Sequence, residues 1–433
     1  LNNRLLQNNQ LIFLMIFSLV FVLVGCTTME DAGNLNYEDL QEKIEIERAM
    51  EHIQSLVDFG PRLPGQSGDV EAGKYLLEAF KNLNLITQVE EFPVQIFEAK
   101  GVEITINNQG KYIPLAANIF DYSASTPADG LKDMPLIYAG LGKTTDLVEL
   151  DLTDAIAVVR RGDIYFRDKV INSASKGAKA VIIINSEDTS LISSLLEEST
   201  IPAIGVSSSE GEKIVEALKE GELLANLIVD TIIEDGASRN IIGIKKSSKE
   251  TDKVLIIGAH YDSANTPGAN DNAAGVGGLL EIAAVLRDVD LPFNIHYIAF
   301  GAEEMDVVGS NFHVQQRYTA GYKNVIGMIN LDGIGIGHTL MVNRESRNSS
   351  NYLSKIALRA ANDLNIKAVE YFNGDSDHRP FEHIGIPVAF LQYGPGNPRY
   401  YHTQLDTFDT LNSKTIENTI KVVLKIITSL ANK

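Results

Sequence analysis

From Lys253 onward the chain repeats one unit: a short apolar strand, a loop, then a helix. Residues 253–258, 293–300, 325–331 and 387–391 are compact apolar runs of the kind that make buried strands. Between and after them, 273–286, 309–318, 352–362 and 413–430 carry apolar residues at helical spacing. Strands alternating with helices predict βαβ units, hence an α/β fold with a mostly parallel sheet sandwiched by helices. In such a sheet ligands bind beyond the carboxyl ends of the strands.

Chemistry-bearing residues fall at those ends. The first strand runs into His260 and Asp262, and the next loop carries Asp271 in Gly268-Ala-Asn-Asp-Asn-Ala-Ala-Gly275 before a helix opens. The second strand runs into Glu303 and Glu304, the third into Asp332, and the fourth is followed by Tyr401-His402. Two imidazoles with three carboxylates and no thiolate suit a borderline divalent metal such as zinc. Five protein ligands are too many for one catalytic zinc, but they suit two ions sharing a bridging carboxylate. Taken singly, each residue has a plainer reading. A strand-end Asp or His usually hydrogen-bonds, an Asp-Asn-x-x-Gly turn usually caps a helix, and a Glu-Glu pair is usually solvated.

The rest of the chain differs in pattern. Residues 39–57 predict one amphipathic helix stopped by Gly60-Pro61, 73–85 a second helix and 89–94 a strand. From about 101 to 230 short strands are expected at 102–106, 136–138, 155–159 and 181–185, with helices at 165–176 and 211–219. Within it, Ile156-Ala-Val-Val-Arg-Arg-Gly162, Phe166, Lys169, Ala174, Gly177-Ala178, Val181-Ile-Ile-Ile-Asn185 and Ile201-Pro-Ala-Ile-Gly205 resemble the protease-associated domain, a β-rich insert of several peptidase families.

Charge and cysteine use narrow the possibilities further. Asp plus Glu is 57 against 37 Lys plus Arg, a net charge of −20, and no dense basic run is present, which argues against nucleic acid as a partner. A single cysteine, Cys26, excludes an intramolecular disulfide and a Cys-rich zinc site. It follows the apolar run 11–24, which is short for a membrane span and fits a signal h-region. Leu23-Val24-Gly25-Cys26 resembles the bacterial lipobox, in which the signal is cut before a cysteine that is then lipidated. The expectation is an extracytoplasmic protein anchored to the bacterial membrane through Cys26.

His260-x-Asp262, Asp271-Asn272-x-x-Gly275, Glu303-Glu304, Asn330-Leu-Asp332 and Tyr401-His402 together resemble the motif set of the secreted di-zinc aminopeptidases. Glutamate carboxypeptidase, glutaminyl cyclase and the transferrin receptor ectodomain are relatives of that family. The resemblance implies one zinc held by His260 and Asp332, another by Glu304 and His402, and Asp271 bridging them. It implies Asp262 as the carboxylate orienting His260, Glu303 as general base and Tyr401 as a donor to the oxyanion. His378, in Asp375-Ser-Asp-His-Arg-Pro-Phe381, is expected to touch substrate. His52, His296, His313, His338 and His383 are expected to be structural.

The implied division is a signal peptide at 1–25, a tether at 26–38, a peptidase domain at 39–100 and 236–433, and the protease-associated insert at 101–235. The expected substrates are peptides cleaved at their N-terminal residue. A carboxypeptidase, with Arg379 or Arg399 aimed at a terminal carboxylate, and a non-catalytic surface receptor on the same fold are the alternatives. Two departures from the family pattern bear on specificity: Gly333 stands where relatives often carry Met, and Met305-Asp306-Val307-Val308 stands where they often carry Gly and Leu.

Overall fold

The computed structural model describes residues 34–433 apart from 109, 190, 319, 320, 322, 345, 373, 374, 397 and 398. The expected signal peptide, Cys26 and the first part of the tether lie outside the described residues. Leu35 is tied to Asn432 near the far end of the chain by two hydrogen bonds of 2.8 and 2.9 Å. Among the described residues no helix is long and apolar enough to cross a membrane.

In chain order, helices α1 (Tyr37–Gln41), α2 (Ile46–Asp58) and α3 (Ser67–Asn82) precede the long strand β1 (Ile86–Asn108). The inserted unit contains β2 (Lys111–Pro114), β3 (Asn118–Ile119), β4 (Leu131–Tyr138), β5 (Ile156–Arg160), α4 (Phe166–Ser175), β6 (Ala180–Ile184), β7 (Ala203–Val206) and α5 (Ser208–Glu220). The return strand is β8 (Leu224–Lys245). Then come β9 (Val254–His260), α6 (Ala274–Leu286), β10 (Asn294–Phe300), α7 (Val308–Tyr318), β11 (Val325–Leu331) and β12 (Thr339–Arg344). The chain closes with α8 (Tyr352–Asp363), β13 (Ala368–Phe372), α9 (Arg379–His383), β14 (Val388–Gly394) and α10 (Ser413–Ala431).

The main sheet runs β13-β12-β14-β11-β9-β10-β8. Strands β14, β11, β9 and β10 are mutually parallel, while β12 and β8 pair antiparallel at their flanks. Every residue of β9 is buried, as expected of a strand covered on both faces. Its alternate side chains go to different cores. Leu255 and Ile257 join α2, α3, α6, α8 and α10 on one face, and Ile256 joins α7 and α9 on the other. The expected α/β sandwich is therefore present.

Where the elements differ from expectation, tertiary demands explain it. The single helix expected at 39–57 is broken between α1 and α2. The fully buried Glu281 carboxylate accepts there from the Glu45 N–H at 2.7 Å and from Arg48 at 2.7 and 3.0 Å. The short strands expected at 89–94 and 102–106 are one strand, β1, which continues through residues 95–101 with a bulge between Ala99 and Gly101. It pairs antiparallel with β8 along almost its whole length. This ribbon carries the chain out to the insert and back, and it runs unbroken through positions 101 and 235. Strands β8, β12 and β13 were not expected, because β13 is mostly exposed and much of β8 alternates on a half-solvated ribbon. In the insert β4, β5, β6 and β7 pair parallel, around a core that includes Val158, Ile182 and Ile204.

Helix α7 starts against the end of β10. A Cβ on Gly309 would lie 2.1 Å from the Gly301 carbonyl oxygen and 2.5 Å from Asn240 Oδ1, so only glycine lets the helix pack this close. The Gly309→Ala variant should lose about 1–3 kcal/mol of stability by overpacking, read as a lower urea midpoint at unchanged slope.

Candidate metal centre

The strand ends converge as the sequence pattern requires. His260 ends β9, and Glu303 and Glu304 lie just past β10, Asp332 just past β11, and His402 in the loop beyond β14. Asp271 lies in a wide turn, Ala269–Ala273, that opens α6. There Asn272 Oδ1 accepts from the Gly275 N–H at 3.0 Å, so Asn272 does the capping and Asp271 is left to face the site. A Cβ at Gly275 would sit 2.4 Å from both Asn272 Oδ1 and the Leu331 carbonyl oxygen, which accounts for the glycine in this turn.

Asp271 lies between the two imidazoles. Its Oδ1 is 3.2 Å from His260 Nε2, and its Oδ2 is 3.3 Å from His402 Nε2. Asp332 Oδ1 stands 3.5 Å from His260 Nε2, and Glu304 Oε2 stands 3.2 Å from His402 Nε2. Glu303 Oε2 lies 4.0 Å from His260 Nε2. Two groups of donor atoms, each within 4.8 Å, result: His260 with Glu303 and Asp332, and Asp271 with Glu304 and His402. His52, His296, His313, His338 and His383 join neither group among the described residues.

Electrostatics tests whether cations fit here. Burial disfavours charge on Glu303, and the carboxylates of Asp332, Asp377 and Glu304 add to it, so its pKa is pushed well up. Burial opposes charge on the two imidazoles as well. The facing carboxylates nonetheless raise both well above the ordinary histidine value. The site is therefore short of positive charge. Nε2 of His260 is buried with no hydrogen-bond partner and faces the carboxylates of Asp271 and Asp332. Both features fit divalent cations held by nitrogen and oxygen donors.

The supporting contacts extend the sequence reading. Asp262 accepts from the Glu303 and Glu304 N–H groups, each at 3.1 Å. Nδ1 of His260 is closer to the Asp262 carbonyl oxygen, at 3.2 Å, than to its carboxylate, at 3.5 Å. Asp262 thus positions the Glu pair as well as the imidazole. Three residues were missed. Asp406 accepts from the Asn270 and Asp271 N–H groups at 2.8 and 3.1 Å. Ser376 donates to Asp332 Oδ2 at 2.7 Å. Arg62, fully buried, donates to the carbonyls of Tyr261, Pro267 and Gly268 at 2.6–2.8 Å and so fixes the loops around Asp271. The Asp four residues after His402 and the Ser before Asp377 are their traces in sequence, but neither spacing is distinctive alone.

Other expectations are corrected or refined. His378 does not reach the cleft: it is fully buried, its ring packs on Phe390 at 4.8 Å, and burial lowers its pKa to about 3. Tyr401 is half exposed and stacks on the His402 ring at 3.9 Å. Burial of its hydroxyl, together with the surrounding carboxylates, raises its pKa and keeps it a protonated donor. Arg379 is committed to ion pairs with Asp306 and Asp375. Met305 points away from the centre into the inserted unit, where Tyr122 donates to its sulfur at 3.0 Å. Gly333 has φ +64°, a left-handed conformation that suits glycine rather than Met, and it lines a cavity of about 290 Å³. A second cavity of about 360 Å³ lies between Glu303, Glu304 and His402 on one side and the insert on the other.

Comparison with known proteins agrees with this geometry. The profile of peptidase family M28 matches residues 240–427, and that of the PA domain matches 114–214. Aminopeptidase YwaD of Bacillus subtilis is 32% identical over 375 residues, 83% of this chain and 79% of that protein. The chain belongs to peptidase family M28. Another relative, named "probable lipoprotein aminopeptidase LpqL", from Mycobacterium tuberculosis, is 28% identical over 68% of this chain and 60% of its own length. The solved structure of BSAP, a zinc aminopeptidase from Bacillus subtilis, superposes with a TM-score of 0.76 at 29% identity, covering 90% of this chain and 96% of that one. Family and site together make this M28 member a metal-dependent aminopeptidase with an inserted PA domain.

Asp406 supplies a test of the support network. The Asp406→Asn variant keeps the side chain's size but loses one of two acceptors beneath the Asp271 turn. Metal affinity, measured by competition with a chromophoric chelator, should fall about 10–100-fold, the usual cost of losing a group that orients a ligand.

Proposed function

We propose that this aminopeptidase works with two zinc ions, held by His260 and Asp332 and by Glu304 and His402, with Asp271 shared between them. The observation that carries this is the division of Asp271, one oxygen toward each imidazole. At these residues the ions would supply Lewis acidity, acidifying water and polarising the scissile carbonyl. Glu303, held through its N–H by Asp262, takes a proton from the attacking water on Oε2 and returns it to the leaving amine. The Tyr401 hydroxyl donates to the developing oxyanion. Arg379 is spent on ion pairs with Asp306 and Asp375, which weighs against a carboxypeptidase that uses it to bind a terminal carboxylate. The complete donor set weighs against a non-catalytic receptor.

The mature chain should bind about two zinc ions, and Asp271→Ala should lose both activity and the two-to-one stoichiometry. One tightly bound ion in a fully active enzyme would reject the two-ion reading.

Glu303 and Glu304 separate base from ligand. Glu303→Gln should cut turnover by about 100-fold or more at nearly unchanged zinc content. Glu304→Gln should lose zinc and recover part of its activity when zinc is added in excess. The opposite pattern would mean that the two roles are exchanged.

We also propose that the chain is an extracytoplasmic lipoprotein anchored through Cys26. The lipobox-like Leu23-Val24-Gly25-Cys26 and a relative named as a lipoprotein support this. Cys26→Ala should release the protein from membranes without reducing turnover, and an unmodified Cys26 in the mature native protein would refute the anchor.

A further inference from the structure

The two cavities beside the metal centre share a wall. Arg161 of the insert and Tyr401 of the peptidase line both the 360 Å³ and the 290 Å³ cavity. Two other guanidiniums line the larger cavity: Arg379 is paired with Asp306 and Asp375, and Arg167 lies 3.7 Å from Glu197. Arg161 differs from both. Among the described residues its side chain makes one hydrogen bond, to Asn185 Oδ1 at 3.0 Å, and its face lies 5.9 Å from the Phe166 ring. Among the described residues no carboxylate forms an ion pair with it.

The arrangement is fixed before any substrate arrives. Asn185 is buried, and its own amide donates to the Thr189 carbonyl at 2.9 Å, so the acceptor that orients Arg161 is itself held. The Arg161 N–H donates to the Ile184 carbonyl at 2.9 Å, which anchors the backbone in the sheet of the insert. A guanidinium has five donors in a planar fork suited to a carboxylate, and here one of them is used. Of the three guanidiniums that line the 360 Å³ cavity, Arg161, Arg167 and Arg379, the last two face carboxylates of the protein, which leaves Arg161 as the one whose fork is open to an anionic substrate group. A cavity of this size holds on the order of two or three amino-acid residues.

We propose that Arg161 binds a carboxylate of the peptide substrate, making the inserted domain a specificity element for short or acidic peptides. This rests on the aminopeptidase reading above. The carboxylate can be the C-terminus of a dipeptide or the side chain of an acidic residue after the scissile bond; both offer the same planar acceptor.

The test compares kcat/KM for four substrates on the zinc-loaded full chain: Leu-Leu, Leu-Leu-amide, Leu-Glu-amide and Leu-Gln-amide. In the wild type at least one carboxylate-bearing member should exceed its neutral counterpart by about tenfold, the usual worth of a charge-assisted hydrogen bond. The first pair reports the C-terminus and the second the side chain. Arg161→Gln should bring that ratio close to one, and Arg161→Lys should keep part of it, as a point charge without the fork. A wild-type ratio near one in both pairs overturns the inference, and so does an Arg161→Gln ratio equal to the wild type's. The wild-type ratios decide even if the Gln variant fails to fold. If neutral amides are cleaved without any carboxylate preference, the inference alone falls. If none of the four is cleaved, the aminopeptidase reading falls and takes this one with it.

Discussion

The Asp271 carboxylate set between two imidazoles governs the arrangement of everything around it. Its oxygens lie 3.2 and 3.3 Å from His260 and His402, and Asp332, Glu304 and Glu303 close around the same two nitrogens. So many carboxylates cannot be buried together as anions without compensating charge. Burial and the neighbouring carboxylates push the pKa of Glu303 up, and the facing carboxylates raise those of both imidazoles against the opposing effect of burial. Cations bound among these carboxylates would supply the compensating charge.

Holding like charges together takes a frame, and backbone groups supply most of it. Asp262 collects the N–H groups of Glu303 and Glu304, and Asp406 those of Asn270 and Asp271. Arg62 does the converse, gathering the carbonyls of Tyr261, Pro267 and Gly268. Burial lowers its pKa to about 10, while nearby Asp262, Asp406, Asp271 and Glu304 favour its charge. Each acidic loop is therefore tied by a charged side chain from another part of the chain, so the loops cannot relax apart independently.

Much of this was legible in the sequence. Apolar runs at β9, β10, β11 and β14 set the sheet, and the residues directly after them set the donor set, because strand ends are local facts. What was not legible depends on distant partners. The break between α1 and α2 is imposed by Glu281, more than 200 residues away. The β1–β8 ribbon reads as scattered short strands because half of it faces solvent. Arg62, Ser376 and Asp406 carry no spacing signal, since each bonds to groups that only the fold brings near. His378 was misplaced for the same reason: its neighbours Asp375 and Arg379 line the cleft, but the turn between them rotates His378 onto Phe390.

The loop after β10 joins the two halves of the molecule. Glu303 and Glu304 face the metal centre, Met305 inserts toward Tyr122 of the insert, and Asp306 pairs with Arg379. Ala302, Asp306 and Val307 all have φ between +55° and +66°. That is an unfavourable region for any residue with a Cβ and most of all for branched Val307. A loop strained at three positions persists only if its surroundings hold it. Those surroundings include the insert, through the contact between Met305 and Tyr122. The departure at Met305 thus takes on a structural meaning: the side chain that follows Glu304 is used to seat the inserted domain. Docking of the insert and the placement of Glu303 and Glu304 meet in adjacent residues, and the 360 Å³ cavity is lined from both sides, by Arg161 of the insert and by His402 of the peptidase part.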